Sequence, residues 1–127
     1  MTYKLFVYGT LRRGFHNHDL MRNAKHICDG RTTDSMRLMV HRGHGIPFTW
    51  KDECGKPLRG EFYEIDEEDI MPIHSMEVSA GYEAKWLSII LDSGETARAL
   101  VYLYPPTENQ FFMDIPQCDY SMFRVRI

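Results

Sequence analysis

The 127-residue sequence predicts an α+β domain, with about six strands and one or two short helices arranged as a curled sheet or small barrel. Three observations point there. Short β-branched and aromatic runs recur along the chain, separated by glycine- and proline-bearing turns. One acidic-led segment after Asp66 has helical spacing. No repeat, low-complexity stretch or linker interrupts the chain, so residues 1–127 are expected to form a single domain. Domains usually run to ~100–200 residues, and a chain of this size buries roughly two-thirds of its unfolded surface without a disulfide or metal.

Leu5-Phe6-Val7-Tyr8, closed by Gly9, has the unbroken apolar character of a strand buried on both faces. Arg12-Arg13-Gly14 follows as loop, and His18 to Ala24 as a short helix carrying Leu20 and Met21. Strands are expected at Lys25–Thr33 and Met36–His41. Gly43, Gly45, Pro47, Gly55 and Pro57 mark Arg42 to Pro57 as mostly loop and hairpin. Leu58–Ile65 has β character. Asp66 is a good N-cap, and Glu67, Glu68 and Asp69 suit the positive end of a helix dipole. The helix is expected to reach about Met76, kinked or split by Pro72. Tyr82–Leu91 and Thr96–Tyr104 form a hairpin around Asp92-Ser93-Gly94-Glu95, with Leu87, Ile89 and Leu91 on one face and Trp86, Ser88 and Ile90 on the other. Pro105-Pro106 ends the last long strand, and an edge strand at Met122–Arg126 is expected in an otherwise irregular tail.

A hydrophobic fraction of 43% and a charged fraction of 26% are those of a soluble globular chain. Net charge is -3, with no Lys/Arg cluster, which disfavours a nucleic-acid partner. Cys28, Cys54 and Cys118 are far apart and odd in number, so neither a zinc ribbon nor a disulfide framework is expected. Apolar stretches are too short to span a membrane, and the N-terminus lacks the pattern of a signal peptide. A cytoplasmic protein with a small ligand is expected; oligomeric state is left open.

Two places carry chemistry. A buried strand ending at Gly9 lets Tyr8-Gly9-Thr10-Leu11 turn sharply and expose successive backbone N–H groups, a concavity able to hold a carboxylate or phosphate. On a helix starting after Asp66, Ile70, Ile73 and Glu77 share a face, so a carboxylate falls where an apolar side chain belongs. Desolvation there would raise its pKa toward neutrality, as a proton-transfer group requires. The six histidines (His16, His18, His26, His41, His44 and His74) include an H-x-H pair, but no carboxylate stands beside it at ligand spacing. Neither a metal site nor a cysteine nucleophile is expected.

Val7-Tyr8-Gly9-Thr10-Leu11-Arg12-Arg13-Gly14, then Asn17-His18, then Gly60-Glu61-Phe62-Tyr63-Glu64-Ile65-Asp66, then Met76-Glu77 with Tyr82 beyond, span most of the chain in order. Together they resemble the γ-glutamyl cyclotransferase-like family, nearest its γ-glutamylamine cyclotransferase branch. The resemblance implies a small mixed β-barrel flanked by short helices. It implies closure of γ-glutamyl amines or related amides into 5-oxoproline with release of a free amine, and no cofactor. It casts Glu77 as general acid/base, and Tyr8, Gly9, Thr10, Leu11 and Tyr82 as substrate-binding residues. One departure is plain: Tyr82 is followed by Glu83 and Ala84, where the family often has Tyr-x-Arg. Two rival readings are a non-catalytic or regulatory binder of small carboxylates on the same scaffold, and a metal-dependent hydrolase resting on the histidines.

Overall fold

The computed structural model describes residues 1–107 and 109–123. Its elements are β1 (Thr2–Val7), a 3-10 turn (His18–Met21), β2 (Lys25–His41), β3 (Pro47–Lys51), β4 (Lys56–Asp66), α1 (Glu67–Ser79), β5 (Glu83–Leu91), β6 (Thr96–Leu103), β7 (Phe112–Asp114) and a second 3-10 turn (Tyr120–Met122). Strands neighbour one another in the order β3-β2-β4-β1-β6-β5, and β2 also pairs with β5. So β2, β4, β1, β6 and β5 close into a barrel, which β3 and β7 extend by pairing with β2. The β1–β6 pair is parallel and the others are antiparallel, which makes the barrel mixed, as expected.

The β1 strand sits where its sequence requires. Leu5, Phe6, Val7 and Tyr8 are all buried. Phe6 and Tyr8 join the cluster that fills the barrel, with Leu38, Phe62, Ile89 and Val101. Leu5 and Val7 face the other way, into a second cluster with Ile65 and with Ile70 and Ile73 of α1. Period-two alternation thus splits one apolar run between two cores. Burying each of the helix isoleucines contributes roughly 1.5–3 kcal/mol, which is what holds α1 against the barrel.

Several expectations need correction. The pieces predicted at Lys25–Thr33 and Met36–His41 are one strand, β2, bent by register shifts between His26 and Cys28 and between Arg31 and Ser35. Buried Thr32 makes the second shift tolerable: its hydroxyl accepts the Leu58 N–H (2.9 Å) and donates to the Asp34 carbonyl (2.7 Å). The Arg42–Pro57 segment holds the strand β3, which begins at Pro47 on the sheet edge, where a missing N–H is tolerated. The helix expected from His18 is a single 3-10 turn. Asp66 occupies the N-cap of α1 but makes no side-chain cap bond; the Glu67 N–H donates instead to the Met1 carbonyl. Pro72 does not split α1, which continues to Ser79. Pro72 is exposed, and its missing N–H deprives the helix of one bond, to the Glu68 carbonyl. In the tail, β7 was not anticipated. Met122 closes a 3-10 turn rather than opening a strand, and residues 124–126 lie outside the described residues. No described helix is long and apolar enough to cross a membrane.

Candidate active site

A cleft of about 170 Å³ opens where β1 runs out, between the Tyr8–Leu11 loop, Ile46-Pro47 and the last turn of α1. The loop is a tight, pinned turn. The Arg12 N–H donates to the Gly9 carbonyl (3.0 Å). Asn17 grips Thr10 twice, from its N–H to the Thr10 carbonyl (3.0 Å) and from Nδ2 to Oγ1 (2.9 Å). Among the described residues, no acceptor engages the N–H groups of Gly9, Thr10 or Leu11. Three consecutive free donors beside a cleft form a site for an anionic group. Gly9 is needed for space, since a Cβ there would lie 2.5 Å from Pro47 Cγ.

Glu77 reaches the same cleft from α1. The helix phase that buries Ile70 and Ile73 carries it there. Its backbone carbonyl accepts the N–H groups of Ala80 (3.1 Å) and Tyr82 (3.0 Å). Gly81, at φ +96°, makes that reversal possible and returns Tyr82 to the cleft that Glu77 lines. Among the described residues no side chain hydrogen-bonds or ion-pairs with the Glu77 carboxyl, and burial alone pushes its pKa up to about 7. Three phenols surround it, and each hydroxyl is engaged elsewhere. Tyr8 donates to the Tyr102 carbonyl (2.7 Å), Tyr82 to the Pro47 carbonyl (2.5 Å), and Tyr102 shares a hydrogen bond with His74 Nδ1 (2.9 Å). Burial, and then the nearness of Glu77, holds Tyr82 well above the usual phenol range and Tyr102 at about 12. All three remain neutral at physiological pH.

The structure therefore brings together every residue singled out in the sequence, Tyr8, Gly9, Thr10, Leu11, Glu77 and Tyr82, around one cleft. The Tyr82 hydroxyl, however, is spent on Pro47 rather than left free. Sequence reasoning did not place Asn17, Pro47 or Tyr102 in this wall. Tyr102 and Pro47 arrive through strand pairings that no local pattern announces, whereas Asn17 stands within the motif carrying the resemblance. The histidines do not gather at the cleft: His41 and His44 stack on each other at the turn after β2, with ring centroids 3.7 Å apart. His16 lines the cleft mouth, His18 Nδ1 bonds the Leu11 carbonyl, and the grouping of metal-ligand type among the described residues is the surface set Asp66, Glu68 and Asp69.

Comparison with known proteins agrees with this geometry. The family described as gamma-glutamyl cyclotransferase, AIG2-like, matches residues 5–122. A protein of Methanocaldococcus jannaschii, provisionally named a gamma-glutamylcyclotransferase, is 39% identical over 103 residues, covering 80% of this chain and 83% of its own. The gamma-glutamylaminecyclotransferase of Mus musculus is 30% identical over 112 residues, covering 77% of this chain and 75% of its own. The crystal structure of an AIG2-like protein from Mus musculus superposes with a TM-score of 0.77 at 27% identity, over 87% of this chain and 82% of that one. With barrel, loop and cleft in register with a family match across nearly its whole length, the chain belongs to the gamma-glutamyl cyclotransferase, AIG2-like family of enzymes.

Proposed function

We propose that this enzyme closes γ-glutamyl amines or related amides into 5-oxoproline and releases the amine, with Glu77 moving the proton. One observation carries the reading: a carboxyl group with a pKa near 7 and no internal partner faces the same cleft as three free backbone N–H groups. The N–H groups of Gly9, Thr10 and Leu11 bind the substrate α-carboxylate. That places the α-amine and γ-carbonyl of the same glutamyl unit within reach of each other. Orienting an internal nucleophile can lower a barrier by ~7–11 kcal/mol at the upper end.

The proton balance is simple. Starting from the neutral α-amine, attack on the γ-carbonyl forms the ring C–N bond, and the nucleophile sheds one proton to Glu77. The bond to the leaving nitrogen then breaks, and that nitrogen takes the proton from Glu77. A carboxyl group poised near pH 7 accepts and returns a proton with little penalty in either direction. The neighbouring phenols, held neutral, keep the pocket free of competing charge. The names of the relatives, gamma-glutamylcyclotransferase and gamma-glutamylaminecyclotransferase, support this substrate class.

Glu77→Gln tests the reading. The amide is nearly isosteric but cannot accept the proton, so turnover of γ-glutamyl amides falls by ~10²–10⁴-fold. Turnover within a few-fold of the parent would remove Glu77 from the reaction. A parent protein that binds glutamyl compounds without releasing 5-oxoproline would be a carboxylate-binding domain instead.

A further inference from the structure

The motif Gly60-Glu61-Phe62-Tyr63-Glu64-Ile65-Asp66 contributes no side chain to the cleft, yet it contains a charge in an unexpected place. Phe62 and Ile65 are core residues, Glu64 pairs with Lys4 at the surface, and Gly60 has no room for a Cβ, which would sit 2.4 Å from the Val7 carbonyl. Glu61 is 4% exposed. Burying a carboxylate is costly, and apolar replacements of buried ion pairs are often neutral or stabilising, so fold stability alone does not call for it.

Its contacts show what it holds. Glu61 pairs across the sheet with Val7, at the point where β1 gives way to the Tyr8–Leu11 loop. Its Oε1 accepts the Arg13 backbone N–H (3.0 Å) and the Tyr63 hydroxyl (2.9 Å). Its Oε2 accepts Arg13 Nε (3.3 Å) and lies 3.9 Å from Arg12 Nε, a buried atom with no hydrogen-bond partner. Arg12 reaches on to Asp119 (2.8 Å). The downstream end of the loop is thus tied to β4 by its own backbone, and Asn17 grips its middle.

We propose that Glu61 is a positioning residue: by clamping Arg12 and Arg13 it fixes the loop so that the N–H groups of Gly9, Thr10 and Leu11 converge on the substrate α-carboxylate. This rests on the functional reading above. The two arginines also offset the charge of Glu61, Arg13 at 3.3 Å and Arg12 at 3.9 Å. Glu61 touches no reacting atom; it sets affinity for the carboxylate end rather than the rate of ring closure.

The test compares the parent enzyme with E61Q, using two competitive inhibitors that share a ring: 5-oxoproline and pyrrolidin-2-one, which lacks the carboxylate. In E61Q the inhibition constant of 5-oxoproline and the KM for a γ-glutamyl amide rise roughly 10-fold or more, while kcat stays within about three-fold. Inhibition by pyrrolidin-2-one is unchanged. A merely structural role would weaken both inhibitors alike, and either that result or an unchanged 5-oxoproline constant overturns the proposal. Should E61Q fail to fold, E61D, which withdraws the carboxylate by one methylene, reads the same ratio. A parent enzyme that releases 5-oxoproline while the variant keeps its affinity leaves the reaction standing and removes Glu61; a parent that releases none overturns the reaction and the positioning role together.

Discussion

Replacing Glu77 by glutamine should stabilise the protein, and by an amount that depends on pH. In the fold the Glu77 carboxyl titrates near 7, whereas its ordinary value is 4.5. Because the folded pKa is the higher one, folding favours the protonated form. Glu77 costs nothing below about pH 4, where both folded and unfolded chains carry it neutral. Between 4.5 and about 7 the unfolded chain ionises freely while the fold resists, so stability falls with rising pH and levels off above 7. At 1.36 kcal/mol per pKa unit, the plateau penalty is about 3 kcal/mol. For a chain of this size that is roughly 10 °C in melting temperature. Glutamine never ionises, so the variant escapes the penalty. Thermal melts of both proteins from about pH 4 to about pH 8 check this: the curves coincide at the acid end, and the variant gains about 3 kcal/mol at the alkaline end. A stability difference that is flat across this range, or a variant less stable at the alkaline end, would refute the claim that burial raises the Glu77 pKa.

Further outcomes follow from the contacts in the cleft. Gly9→Ala should cost far more kcat/KM than Thr10→Ala: the first drives a methyl into Pro47, and displacement of about an ångström costs on the order of 10²-fold. The second removes one bond from Asn17 and leaves the Asn17 N–H to Thr10 carbonyl bond in place; steady-state kinetics showing the opposite order would assign the binding to the threonine side chain. Tyr82→Phe orphans the buried Pro47 carbonyl and should lower stability by ~1–3 kcal/mol in denaturant unfolding, with turnover kept within about ten-fold. An unchanged stability would mean that this hydroxyl is free to serve the substrate.

Much of the site was legible because it is coded locally. Leu5 to Tyr8 is apolar at every position, which fits a strand between two cores, and Gly9 marks its end. The helix phase places Glu77 beside Ile70 and Ile73 on the buried side despite Pro72. What escaped was set by distant pairing. β2 looked like two strands because Asp34 and Ser35 break its pattern, yet β4 on one side and β3 on the other hold it together. β7 has three residues and exists through its ladder with the end of β2. Pro47 sat in a stretch rich in turn residues, and its place against Gly9 and Tyr82 depends on barrel closure. Glu61 gave no clear signal of burial: its same-face neighbours on β4 are the half-buried Arg59 as well as the buried Tyr63 and Ile65, and a carboxylate in such a mixed stripe fits the sheet rim as readily as its interior.

The central claim is that the α-amine of the substrate, and not water, attacks the γ-carbonyl. Turnover of a γ-glutamyl amide in ¹⁸O-enriched water, with products resolved by mass spectrometry, separates the two. Ring closure takes no oxygen from solvent, so the account predicts unlabelled 5-oxoproline in equal amount to the released amine, and no product from a substrate whose α-amine is capped. Glutamate carrying ¹⁸O at its γ-carboxylate, or amine released from the capped substrate, would contradict it.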